Sequence, residues 1–213
     1  MTVFHFIRHE ESEGNAAAKL AKLTGALRLD IPWDTFAIPL TKDGQAKAAR
    51  IKVPAHDWVY VSPNLRAYQT FQIALPTTER YSVDGRLVDK NSGSFDKLSI
   101  AGIQKLYPKE WAERERVGKF FHRPPGGESW LDVIERTWEF MDDVLTFNHE
   151  SVVVIGHDIP ILAAIYIAND LTPDEIMRYH KETPVLNGSI TTLTYEGRPH
   201  ADIRRTLPAV AAG

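Results

Sequence analysis

A three-layer α/β/α sandwich around a mainly parallel sheet is the fold that this 213-residue chain predicts. Three observations carry the prediction. Short runs of β-branched and aromatic residues alternate with helical patterns along the chain. One such run, "SVVVIG" at 151–156, is apolar on both faces, as a central strand covered by helices on each side requires. No repeat, low-complexity tract or linker interrupts the alternation, so a single domain is expected over residues 1–213.

Taken in order, strands are read at "TVFHFI" (2–7), "DWVYVS" (57–62), "SVVVIG" (151–156) and "SITTLTY" (189–195). Helices are expected at "TKDGQAKAARI" (41–51) and "PNLRAYQTFQIAL" (63–75), each after a turn signal. The longest helix follows "PPGG". There Trp130, Val133, Ile134, Trp138, Met141, Val144 and Leu145 fall in steps of three and four and form one buried stripe. Residues 96–130 form the longest stretch between core elements and are expected as an inserted helical and loop cap. Within it, Trp111, Phe120 and Phe121 read mainly as packing. Arg114, Arg116, Lys119, His122 and Arg123 read mainly as a solvated face, with a substrate-guiding role as the alternative. His5, inside a strand, is expected in the core; His56, His149 and His200 need no role.

Composition narrows the function classes. Hydrophobic residues at 43% and charged residues at 25% are those of a globular chain, which argues against disorder. A net charge of −3 gives no reason to expect nucleic acid or an acidic membrane as partner. The absence of cysteine excludes disulfides, thiolate metal sites and cysteine nucleophiles. The start "MTVFHFIRHE" lacks a basic and apolar leader, and the longest apolar run, "IPILAAIYIA" (159–168), is too short to span a bilayer. A soluble cytoplasmic protein is expected.

In an open parallel sheet, ligands sit outside the carboxyl ends of the strands, so the polar residues there decide the chemistry. The first strand ends in Arg8-His9, the second runs into "SPNLRAYQT" with Arg66, and the third ends in "GHD" with His157 and Asp158. Singly, a histidine at a strand end is commonly structural and an arginine in the first turn of a helix commonly a solvated cation. Together, two imidazoles and two guanidiniums at one sheet edge repel one another unless an anion sits among them. Arginine pairs bidentately with phosphate oxygens, and a neutral histidine is a nucleophile toward phosphorus.

"FIRHEESEGN" resembles the "RHGESxxN" signature of the histidine phosphatase superfamily, the phosphoglycerate-mutase-like group. "PLTKDGQAKA" (39–48), "SPNLRAYQT" (62–70), "GGES" (126–129) and "VVVIGHDIPI" (152–161) match in the family's order, so the resemblance spans about residues 2–195. It implies a phosphoglycerate-mutase-like fold, His9 as the phosphorylated nucleophile, and Arg8, Asn15, Arg66 and His157 on the transferring phosphoryl group. The segment "RLVDKNSGSF" (86–95) places Asp89 where the family carries its proton-donating glutamate. The implied activity is cofactor-independent hydrolysis of a small phosphomonoester, with no metal. The alternatives are a phosphoglycerate-type mutase and a catalytically weakened member that binds phosphorylated ligands or a partner.

Two residues depart from the pattern. Glu10 stands where the family has glycine; a carboxylate about 5 Å from a phosphate would repel each unit of its charge by roughly 3 kcal/mol at an effective dielectric near 20. Asp158, directly after the second histidine, matches instead the acid-phosphatase branch, whose donor is that aspartate. Three candidate acids therefore stand open: Asp89 by segment match, Asp158 second, and Glu10.

Overall fold

The computed structural model describes residues 1–197. His200 lies outside them, as does the end of the expected single domain. The elements are β1 (Thr2–Arg8), α1 (Glu13–Thr24), α2 (Lys42–Ala48), β2 (Trp58–Val61), α3 (Leu65–Ala74), β3 (Tyr81–Val83), α4 (Ile100–Leu106), α5 (Pro108–Val117), α6 (Trp130–Leu145), β4 (Ser151–Gly156), α7 (Asp158–Ala168), α8 (Pro173–Glu182) and β5 (Ile190–Tyr195).

The sheet order is β3-β2-β4-β1-β5, with β4 at its centre as its unbroken apolar run requires. β4 pairs parallel with β1 and β2, and β2 pairs parallel with β3. Among the described strands of the sheet only β5 runs antiparallel, beside β1. The period of two in β-strands divides the core. Phe4, Phe6, Tyr60, Val152 and Val154 face α6 and α7, while Ile7, Val59, Val61, Val153 and Ile155 face α3. Helices thus cover both faces, as the sequence predicts.

The α6 stripe buries Trp130, Val133, Ile134, Phe140, Met141 and Val144. Trp138 and Leu145, expected in that stripe, are partly buried at its edge. The helix starts at a capping box between Ser129 and Asp132, which satisfies two amides of its first turn. The apolar run at 159–168 is helix α7, buried nearly all round. No helix among the described residues is long and apolar enough to cross a membrane. His5 differs from expectation: it is half-buried and its Nδ1 meets Thr192 Oγ1 at 2.9 Å, because its face of β1 looks onto the edge strand β5.

Two features bring the site's loops together. Gly93 has φ +53, and a Cβ there would collide with the Pro125 carbonyl and the Gly127 amide, so only glycine lets these loops touch. The Asn91 amide donates to Glu128 at 2.8 Å across the same contact. The segment before α2 is tied to the segment before α4 by Leu29 N–H donating to the Lys97 carbonyl at 2.8 Å and Ser99 N–H donating to that of Leu27 at 3.1 Å.

Candidate active site

The carboxyl ends of β1, β2 and β4 open into a cleft of about 570 Å³, lined on its polar side by Arg8, His9, Asn15, Asn64, Arg66 and Asp89. His9 stands one residue beyond β1 and is 2% exposed. Its Nδ1 lies 2.6 Å from the Glu10 carbonyl oxygen. A carbonyl only accepts, so Nδ1 carries the proton and Nε2 presents its lone pair. Arg66 Nε donates to that Nε2 at 3.2 Å, consistent with the same tautomer. Burial, and then the Arg66 charge, lower the His9 pKa to about 3, so the ring is neutral at ordinary pH.

Arg66 lies in the first turn of α3. Besides His9, it donates from Nη1 to the Thr35 carbonyl at 3.0 Å and from Nη2 to Asp89 Oδ2 at 2.8 Å. That same Asp89 oxygen lies 3.6 Å from His157 Nδ1. The cationic cluster is therefore neutralised from within, and Asp89 Oδ2 occupies the anion position between Arg66 and His157. Burial acts to raise the Asp89 pKa. His157, Arg66 and His9 together outweigh it and hold the carboxylate ionised, below the usual range.

His157 caps the N-terminus of α7 and is fully buried. Its ring and that of His9 meet edge to face with centroids 5.1 Å apart. Ser62 Oγ donates to Asn64 Oδ1 at 3.0 Å, which leaves that hydroxyl to accept from His157 Nε2 at 2.9 Å. Among the described residues His157 Nδ1 has no hydrogen-bond partner. Burial sets its pKa well below the ordinary value.

Arg8 donates from Nη1 to the Val185 carbonyl at 2.6 Å and stands 3.6 Å from Asp158, while its buried Nε is unpaired. Asn15 closes the capping box of α1; its Oδ1 accepts from Ser12 and from Asn187, leaving the Nδ2 amide as the group that it offers the cleft. The residues predicted to bind phosphoryl thus converge on one place.

The other two candidate acids lie elsewhere. Asp158 sits beside Arg8 in the first turn of α7 and is absent from the cleft wall, although burial raises its pKa against the pull of Arg8. Glu10 points away from the cleft. Its carboxylate accepts from the Glu11 amide at 3.2 Å and packs against Gly188, among Lys47, Arg50 and Lys52 on a separate surface.

Sequence reasoning missed the residues that hold these groups. Asn187 donates to the His9 carbonyl at 2.9 Å; its signal was the Asn-Gly turn just before β5. Ser62 and Asn64, inside the quoted "SPNLR", fix His157. Arg136, on α6, donates to Glu128 at 2.9 Å and to the Asp89 carbonyl at 3.4 Å, anchoring the strand of chain that carries Asp89. Nothing in the α6 pattern marks Arg136 except its polar place beside the buried stripe.

A buried neutral histidine whose Nε2 lone pair faces a guanidinium, a second guanidinium and a second histidine stand together at the strand ends of a phosphoglycerate-mutase-like sheet, and they define a class of protein. The family model described as histidine phosphatase superfamily (branch 1) matches residues 4–202, and this chain belongs to that superfamily. Among curated proteins, it is similar to the 6-phosphofructo-2-kinase/fructose-2,6-bisphosphatase of Caenorhabditis elegans, 30% identical over 163 residues. That match covers 70% of this chain but 32% of the longer protein. Among solved structures it resembles the alpha-ribazole phosphatase of Shigella flexneri, with a TM-score of 0.73, 15% identity, and 92% and 91% of the two chains covered. The mycobacterial glucosyl-3-phosphoglycerate phosphatase gives a TM-score of 0.67 at 21% identity, covering 90% and 89%. At those identities the likeness is one of fold.

Proposed function

We propose that this protein hydrolyses a small phosphomonoester through a phosphohistidine at His9, with no cofactor. The observation that carries the reading is the tautomer of His9: its Nδ1 proton is committed to the Glu10 carbonyl, so Nε2 is the nucleophile.

Nε2 attacks phosphorus in line as the ester P–O bond breaks, and the departing oxygen takes a proton from a carboxylic acid. Asp89 is the carboxylate on the cleft wall beside His9. A phosphoryl oxygen entering between Arg66 and His157 takes the place of Asp89 Oδ2. Asp89 then loses its pairing with the Arg66 guanidinium and gains an anionic neighbour; both changes raise its pKa and favour the acid form. Arg8 Nε, Arg66 and Asn15 Nδ2 are the donors for the phosphoryl oxygens, and His157 joins them when the phosphoryl charge draws a proton onto its Nδ1. In the second half, water attacks the phosphohistidine, its proton passes to Asp89, the P–N bond breaks, and inorganic phosphate leaves.

The rival reading of a weakened, ligand-binding member draws its support from Glu10, which faces away from the cleft. A mutase would instead return the phosphoryl group to a second acceptor. The deciding experiment is hydrolysis of para-nitrophenyl phosphate in EDTA across pH 4 to 8, with a His9→Ala control and with and without bisphosphoglycerate. Turnover that His9→Ala abolishes and bisphosphoglycerate does not accelerate is expected. Turnover unaffected by His9→Ala would sink the mechanism.

A further inference from the structure

Attack from His9 Nε2 requires the ring proton on Nδ1, where the Glu10 carbonyl accepts it at 2.6 Å. Whatever aims that carbonyl therefore bears on the chemistry. The two peptide units that follow His9 are each pinned. In the first, the His9 carbonyl accepts from Asn187 Nδ2 at 2.9 Å and the Glu10 amide donates to Thr70 Oγ1 at 3.1 Å. The Thr70 hydroxyl donates to the Arg66 carbonyl at 2.8 Å, which leaves its oxygen to accept. In the second, the Glu10 carbonyl meets the His9 ring, and the Glu11 amide donates to Glu10 Oε2 at 3.2 Å. A peptide unit is planar, so a bond that fixes its N–H also fixes the direction of its C=O.

The Glu10 side chain is placed for this bond. It is 7% exposed and folds back along its own backbone, in the space that Gly188 leaves by having no Cβ. Burying a carboxylate is costly unless it is hydrogen-bonded, and the Glu11 amide supplies a bond. A glycine at position 10, as in the family signature, has no side chain with which to hold that amide.

We propose that Glu10 is a positioning residue for His9. By holding the Glu11 amide, its carboxylate aims the Glu10 carbonyl at Nδ1 and keeps the Nε2 lone pair available to phosphorus. As the Nε2–P bond forms, the ester P–O bond breaks with its electron pair on the leaving oxygen. The ring keeps its Nδ1 proton and becomes positive. The Glu10 carbonyl then accepts from a cationic ring, a stronger bond than from a neutral one, and the carboxylate at the far end of the same peptide unit polarises it in the favourable sense. The benefit falls on the transition state and not on substrate binding. The inference rests on the reading of His9 as a phosphatase nucleophile and gives a part in that step to a side chain outside the cleft.

The test compares Glu10→Gly and Glu10→Gln with the parent on para-nitrophenyl phosphate. Glu10→Gly should lower kcat by about tenfold and leave KM within about twofold, the pattern of an interaction made in the transition state. Glu10→Gln keeps an acceptor oxygen for the Glu11 amide and should stay within about threefold of the parent. Glu10→Ala replaces Glu10→Gly if the latter does not fold. Long-range proton–nitrogen spectra of histidine-labelled protein at pH 7 read the ring directly, with His9 assigned by its absence from His9→Ala. Its proton should sit on Nδ1 in the parent and in Glu10→Gln, and exchange between both nitrogens in Glu10→Gly. An unchanged or raised kcat in Glu10→Gly, a Glu10→Gln protein as slow as Glu10→Gly, or a ring that keeps its Nδ1 proton in Glu10→Gly would overturn the proposal. If the parent does not turn over, the spectra decide alone by the same criterion. Turnover that survives His9→Ala would sink the phosphatase reading and leave the tautomer measurement standing.

Discussion

The Glu10 carboxylate fills the space that a Cβ on residue 188 would need. Gly188 itself has φ +68, a conformation that favours glycine, and any side chain there would push the Glu10 carboxylate aside. The residue that departs from the family signature is thus accommodated across the chain, just before β5, and not by the cleft that His9 and Arg66 line.

Gly188→Ala should therefore destabilise the protein by roughly 1–3 kcal/mol, from positive-φ strain together with displacement of Glu10. Combining it with Glu10→Gly should recover part of that loss, a coupling of about 1 kcal/mol read from urea midpoints. Additivity within error would show that the two residues do not compete for space.

Glu10→Gly alone should change the inhibition constant of inorganic phosphate by less than about threefold, because the carboxylate faces another surface. A carboxylate in the cleft would instead shift it by about a hundredfold, from the roughly 3 kcal/mol of repulsion at 5 Å. A change of that larger size would place Glu10 in the site after all.

Asp89→Asn should slow hydrolysis of alkyl phosphates by roughly 10²–10⁴ and that of para-nitrophenyl phosphate far less, since nitrophenolate departs without a proton. The same dependence on leaving group seen in Asp158→Asn, and absent from Asp89→Asn, would move the acid to Asp158.

Stability should fall as pH drops from about 6.5 toward 4. The folded pKa of His9 is lowered to about 3 and that of His180 to about 4, so between those values and 6.5 the unfolded chain binds more protons than the folded one. His157 acts in the same direction. Each fully buried histidine contributes a slope of up to about 1.4 kcal/mol per pH unit. Urea midpoints at pH 6.5, 5.5 and 4.5 measure the total slope, and His180→Gln should make it shallower. A midpoint independent of pH would contradict the burial argument.

Ser62→Ala should cost about 1–3 kcal/mol by leaving His157 Nε2 buried without its acceptor, and should lower kcat more than it raises KM. An unchanged kcat would mean that the ring is held by packing alone.

The strands and the α6 stripe were legible because burial leaves a periodic trace. "SVVVIG" fixed the centre of the sheet by having no polar face, and the strand ends then pointed to His9, Arg66 and His157. The helix following His9 leaves no such trace, since "EGNAAAKLAKLT" buries only Ala21 and has almost no apolar stripe. Orientation was equally hidden: a glutamate beside His9 reads the same whichever way its side chain turns, and the deciding residue, Gly188, is 178 positions away. Asn187 and Arg136 act through main-chain carbonyls of His9 and Asp89, and such contacts leave no pairing pattern in a sequence.

One guanidinium, that of Arg66, touches His9 Nε2, the Asp89 carboxylate and the Thr35 carbonyl. The loop before α2 is consequently one side chain away from His9, although its tip, Trp33, is 91% exposed. For anyone adapting this scaffold, that loop is a poor place for an epitope tag, a fusion joint or a fluorophore. The turn after α6, at 146–150, offers a surface remote from the cleft for such purposes.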